Sequence, residues 1–133
     1  QEPVEKVCDL FLQGISVEKG QEVNWAVLKE LFIDSAQFII NQGNETKTLS
    51  FEDFKNATQY SKWGFKESAT ERKIVTFGKI AQVAEKFTAE IPMSDTKYKG
   101  INMYLLVKEG DEWKIASLTY EVARKDLPLP TNW

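Results

Sequence analysis

The side chains able to do chemistry in this chain are few in kind. It has no histidine and a single cysteine, Cys8. Without imidazole, no histidine-containing triad can be assembled and the common zinc sites are closed off; with one thiol, neither an intrachain disulfide nor a thiolate cluster can form. No acidic spacing suited to Mg²⁺ or Ca²⁺ is evident, so neither metal nor cofactor is expected. Proton chemistry is left to carboxyl and phenol groups. A carboxylate in apolar surroundings rises in pKa and can work as a base or, protonated, as a donor. Asp34, in "LFIDSAQF", is the first candidate for that role, against the plainer reading of a solvated turn residue. Cys8 is read as a small core residue, not a reactive thiol.

The totals bound the rest. A chain of 133 residues has the size of one domain, taken here as 1–133, and buries about two-thirds of the surface it would expose unfolded. Seventeen basic and twenty acidic residues give a net charge of -3. No Lys/Arg cluster is interleaved with aromatics, so nucleic acid is not an expected partner. The longest apolar runs, such as Met103 to Val107, are too short to span a bilayer, and no membrane partner is expected. The sequence starts at Gln1 without methionine, so a preceding segment is expected to have been removed; both a cytoplasmic and an exported soluble protein fit.

The elements that must position these groups can be read from periodicity. Val4, Val7, Cys8 and Phe11 form one stripe of a helix over Glu2 to Gln13, with Gly14 as its stop. Trp25, Leu28, Leu31 and Phe32 share one side of a second helix that hands over near Asp34. Ala36, Phe38 and Ile40 alternate as a short strand before the turn Gly43-Asn44. In "LSFEDF", Ser50 can cap a third helix, with Asp53 in the reciprocal position, running to about Lys62 and ending at Gly64. From Phe65 to Ile91 the chain is β-rich with a break at Gly78, and the tail "DLPLPTNW" cannot be a central strand. Helices first and strands afterwards predict an α+β domain.

The segment "GINMYLLVKEGDEWKIASLTYEV" reads as a hairpin turning at Gly110-Asp111, with aliphatic and aromatic residues on both faces. One set, Ile101, Met103, Leu105, Val107, Ala116, Leu118, Tyr120 and Val122, is expected to face the core. The other includes Tyr104, Leu106, Trp113 and Ile115, a patch large enough to predict a two-fold homodimer through that sheet face. A one-residue bulge in the turn would exchange the memberships of one strand. Asn102, Thr119 and Glu121 lie close together across the hairpin, where they could orient a polar ligand, pair with a second subunit or meet water. Glu71, Arg72 and Lys73 read as a solvated strand edge.

The order of "WAVLKELFIDSAQF", "RKIVTFGKIAQVAEKF" and "KGINMYLLVKEGDEWKIASLTYEV" resembles the nuclear transport factor 2-like superfamily, in particular its uncharacterised bacterial SnoaL-like branch, over nearly the whole chain. The resemblance implies a strongly curved antiparallel sheet wrapped around N-terminal helices (a cystatin-like cone), usually dimeric, with a pocket between helices and concave sheet. Its members include ketosteroid isomerase, scytalone dehydratase and polyketide cyclases, beside many proteins that only bind, so it implies a pocket more than a reaction. It places Asp34 beside the pocket as a candidate base. Tyr60 and Trp63 fall on one cavity wall, with Tyr60 as a possible oxyanion donor. Trp25, Phe38, Asn102 and Tyr120 complete the expected ligand-binding set, with core packing as the alternative for the aromatics and pairing with a second subunit or water for Asn102. Many relatives of this branch carry histidine where "FGKIAQV" has Gln82, which weakens any carried-over acid-base role.

The leading expectation is a dimeric, cofactor-free domain binding a small apolar or aromatic molecule. The alternatives are an isomerase, dehydratase or cyclase using a pocket carboxylate, and a structural or partner-docking module without an enclosed cavity.

Overall fold

The computed structural model describes residues 2–133. Helix α1 (Glu2–Ile15) buries Val4, Val7, Cys8, Phe11, Leu12 and Ile15 on one stripe and carries Glu2 and Glu5 in its first turn, where the helix dipole favours negative charge. Gly14 does not stop this helix. It is a contact residue, because a Cβ there would stand 3.0 Å from Leu28 Cγ, and its bareness lets α2 (Trp25–Lys29) pack against α1. The second helix is shorter than its apolar spacing predicts. Asn24 caps it, accepting from Val27 N at 3.2 Å, and Phe32 already belongs to strand β1 (Phe32–Gln42).

Strand β1 turns through Gly43 into β2 (Glu45–Leu49). Helix α3 (Phe51–Ala57) opens with the reciprocal cap: Ser50 Oγ accepts from Asp53 N at 3.0 Å, and Ser50 N donates to Asp53 Oδ2 at 3.4 Å. The single third helix expected to reach Lys62 is in fact interrupted. Thr58 is extended, with its hydroxyl donating to Lys55 O, and a separate turn α4 (Tyr60–Trp63) follows. Gly64 ends that turn at φ 78°, a left-handed conformation that disfavours any side chain, and a Cβ there would lie 3.1 Å from Lys19 N.

The β-rich half forms β3 (Lys66–Phe77), β4 (Ile80–Ile91), β5 (Thr96–Glu109) and β6 (Glu112–Val122). The six strands make one sheet in the order β2-β1-β6-β5-β4-β3, antiparallel except for the β1–β6 pair. One face of this curled sheet packs on the helices in a single buried cluster, the α+β cone expected from the sequence.

The hairpin turns at Gly110-Asp111 as predicted, with Lys108 opposite Trp113. Its faces are the reverse of the expectation along β5 and at the start of β6, whereas Leu118 and Tyr120 face inward as expected. Tyr104, Leu106 and Ile115 are at most 1% exposed and belong to the protomer's core, and Trp113 packs against the same core, so these four cannot form a dimer face. Met103 and Leu105 are instead about half exposed on the outer face. The pairing jumps from Leu105–Ser117 to Leu106–Ile115, leaving Ala116 as a bulge inside β6. Ile115 and Leu118, which plain alternation puts on opposite faces, therefore both point inward.

Candidate functional site

Between the helices and the concave sheet lies a cavity of about 320 Å³, within the size range of small-molecule sites. Phe11 and Ile15 of α1, Phe54 of α3, Phe65, Phe87 of β4 and Leu118 of β6 supply an apolar wall. The polar groups are Glu67, Asn102 and the phenols of Tyr60, Tyr98 and Tyr120, with Gln42 and Thr58. No Lys or Arg lines the cavity among the described residues.

Strand β3 delivers Glu67. Alternation turns Glu67 and Ala69 inward opposite Ala89 and Phe87, and Ser16, just after α1, pins the strand by accepting from Glu67 N at 3.0 Å. Asn102 Nδ2 donates to Glu67 Oε2 at 2.7 Å and to Glu85 Oε1 at 2.9 Å. Glu85 is fully buried on β4 and also accepts from Tyr104 Oη at 2.8 Å and Arg72 Nε at 2.7 Å. Arg72 in turn donates to Asp9 of α1 at 2.6 Å. A buried network thus runs from the α1 surface to the cavity wall, with each carboxylate held by charge-assisted bonds.

Burial pushes the Glu67 carboxyl up from 4.5 to about 7, the Asn102 bond pulling against that rise and the Glu85 charge adding to it. The group therefore changes charge near neutrality. Burial and the nearby Glu67 raise the phenols as well, Tyr98 to about 12 and Tyr60 well above its ordinary value, so they remain protonated at neutral pH. A carboxyl near neutrality beside neutral phenols can accept a proton, return it and hydrogen-bond a polar substituent.

Glu67 also borders a second, open groove of about 500 Å³ between α1 and the edge strand β3, where Asp9 and Arg72 lie. That groove is larger but shallower and more polar; the apolar cavity is the better ligand site.

The expected residues separate sharply. Asn102, Tyr60 and Tyr120 line the cavity. Asp34 is exposed on β1 and does not, so the apolar setting that would make it a base is missing. Phe38 is in the core, stacked on Phe54 at 3.9 Å between centroids. Trp25 stacks on Tyr60 and borders a different, polar surface depression. Trp63 is 42% exposed, its indole donating to Gln59 at 3.1 Å. Gln82 is exposed on the outer face opposite Leu105, so its identity has no bearing on cavity chemistry. Arg72 is no solvated edge residue but the half-buried partner of the fully buried Glu85. Burial pushes the Cys8 thiol up to about 12, with Glu85 adding to the rise, and it stays an inert core group.

Glu67, Tyr98 and Glu85 were not singled out from the sequence. For Glu85 a signal exists: Ala81, Val83, Phe87 and Ala89 form an alternating apolar row in which Glu85 is the one charged member. Such a break marks a buried, partnered charge.

Comparison with known proteins agrees with this architecture. The family described as "Putative lumazine-binding" matches residues 2–121. No curated protein matches in sequence. Among solved structures, a "Putative Scytalone Dehydratase" from Novosphingobium aromaticivorans superposes with TM-score 0.74 at 13% identity, covering 92% of this chain and 83% of its own. A cystatin-like protein of unknown function from Nostoc punctiforme gives 0.72 at 10% identity, covering 97% and 94%. A "putative ketosteroid isomerase" from Shewanella frigidimarina gives 0.61 at 17% identity, covering 90% and 92%. At such identities the structures speak for the fold alone, the cystatin-like or nuclear transport factor 2-like fold; the family match over residues 2–121 shows that the chain belongs to the family described as putative lumazine-binding.

Proposed function

We propose that the protein is a single small-molecule-binding domain that works as a homodimer and takes an apolar or aromatic ligand into the concave cavity. The observation that carries this reading is the cavity itself: about 320 Å³, apolar-walled, with one carboxyl and several hydroxyls converging at its polar end. The family description points the same way, since a lumazine is a flat heteroaromatic with N–H groups that a carboxylate can accept. The dimer is assigned to the outer sheet face, where Val75, Phe77, Ile80, Met103 and Leu105 are exposed together.

A thermal-shift and calorimetric panel of lumazine, a steroid ketone and a flat phenol tests the reading. At a ligand concentration of about 100 Kd, binding should add about 2.7 kcal/mol of stability, and Thr58→Trp, placed on the cavity wall, should abolish the gain. A panel in which nothing binds would refute it.

A second reading is favoured by Glu67. In an isomerase or dehydratase it would take the proton from a carbon next to a carbonyl while a cavity phenol donates to the developing oxyanion. This role, expected of Asp34, passes to Glu67 because that carboxyl has the cavity position and the raised pKa.

A further inference from the structure

Building on the cavity reading, we infer that the cavity selects a ligand whose polar end is a cationic amine attached to an apolar or aromatic body. The argument rests on which hydrogen-bonding groups are already occupied. Both N–H bonds of Asn102 are spent on Glu67 and Glu85, which leaves its carbonyl oxygen as an acceptor. Glu67 contributes carboxylate oxygens, which can only accept when ionised. Phenol oxygens accept as well as donate, and no hydrogen bond fixes Tyr60, Tyr98 or Tyr120 among the described residues. The polar end is thus rich in acceptors, and a group bringing several N–H donors matches it.

Charge and ring faces agree. With no Lys or Arg in the lining, a carboxylate or phosphate ligand would meet Glu67 with nothing to neutralise it. A cation meets one negative group and a ring of aromatic side chains whose faces attract positive charge. Arg72, on the far side of Glu85, is engaged there: its Nε goes to Glu85 and its Nη1 to Asp9, while its Nη2 is buried without a partner among the described residues. It balances Glu85 and leaves Glu67 as the uncompensated charge.

Ligand charge and pH are therefore coupled. The groups around Glu67 are Asn102 and Tyr98 of β5, Glu85 of β4, Tyr60 of α4 and Tyr120 of β6, with Arg72 beyond Glu85, Asp9 on α1, Ser16 just after that helix, and Glu18 and Lys66 along the open groove. Of those lining the cavity, Glu67 is the one carried to about 7. An alkylammonium keeps its proton up to about pH 10. Amine affinity should therefore rise as pH passes through 7 and Glu67 ionises, and binding below 7 should expel a proton.

Phenethylamine, phenethyl alcohol and phenylacetate share one body and differ in the end group. Titrated calorimetrically into the full chain at about pH 8.5, the amine should bind at least about tenfold tighter than the alcohol, and phenylacetate weakest. At about pH 5.5 the amine should bind about tenfold more weakly than at 8.5. Glu67→Gln should bring the amine-to-alcohol ratio to within about twofold at both pH values; the wild-type pH profile stands if that variant folds poorly. Alcohol binding equal to or tighter than amine binding overturns the inference and leaves the cavity reading standing. Failure of all three overturns it as well, and lumazine and the steroid ketone then decide the cavity reading separately.

Discussion

Asn102 and Glu67 meet at 2.7 Å, with the amide donating and the carboxylate accepting, and the same amide nitrogen reaches Glu85 at 2.9 Å. One neutral side chain thus separates two acidic groups while satisfying both. This placement makes Asn102 a positioning residue for Glu67, since its bond draws the carboxyl pKa down against the rise that burial imposes. Removing the amide by Asn102→Ala should cost about 1–3 kcal/mol through lost buried hydrogen bonds, and should move the Glu67 titration, followed by carboxyl NMR, to higher pH. An unmoved titration would contradict the positioning role.

The Glu67 carboxyl also makes stability depend on pH in an uncommon direction. Its folded pKa, about 7, lies above the ordinary 4.5, so between those values the native state holds a proton that the unfolded chain has released. Raising pH across that window favours unfolding. The contribution is greatest below about pH 4.5, falls by at most about 1.4 kcal/mol per pH unit, and is lost above about 7. Because Glu67 keeps some contact with solvent, a total of about 1–3 kcal/mol is expected. Urea midpoints of wild type and Glu67→Gln at pH 5 and 8 isolate the effect: the variant should gain on the wild type at pH 8 and not at pH 5.

The Arg72–Glu85 pair should behave as a buried unit. Arg72→Met strands a fully buried carboxylate and should destabilise by about 3–5 kcal/mol, whereas Arg72→Met with Glu85→Gln removes both charges, retains an acceptor for Tyr104, and should recover most of the loss. Chemical denaturation of the two variants checks this. A double variant as unstable as the single one would mean that the pair's geometry, and not charge burial, sets the cost.

Much of the fold was legible because local signals agreed with the tertiary outcome. The α1 stripe, the Ser50 cap and the Gly110-Asp111 turn are written in neighbouring residues. The hairpin faces were not, because both carry apolar side chains and the bulge at Ala116 leaves no mark of its own in "WKIASL". What decides the face is a long-range partner: Tyr104 points inward, where Glu85 accepts its hydroxyl. The site was half legible for a related reason. Asn102, Tyr60 and Tyr120 could be placed by hairpin and helix position, whereas nothing in the residues next to Glu67 marks it: Ser16 and Asn102, from distant segments, hold it in the cavity wall.

The hairpin's orientation moves the proposed dimer contact to the outer sheet face. Strand pairing places Val75 beside Gln82 and Leu105 in one outer row, and Phe77 beside Ile80 and Val107 in the next; Phe77 is 81% exposed. Monomers rarely leave so many large apolar groups contiguous and wet. Light scattering at about 10 µM should therefore report twice the 15.3 kDa chain mass, a concentration at which an interface with Kd near 1 µM is mostly formed. Leu105→Asp should give the single mass while leaving the protomer folded, because that side chain makes no core contact. Ile115→Asp, on the opposite face of the neighbouring strand, should unfold the chain instead. A 15.3 kDa particle from wild type would exclude the outer face as a dimer surface without touching the cavity, whose lining comes from one protomer.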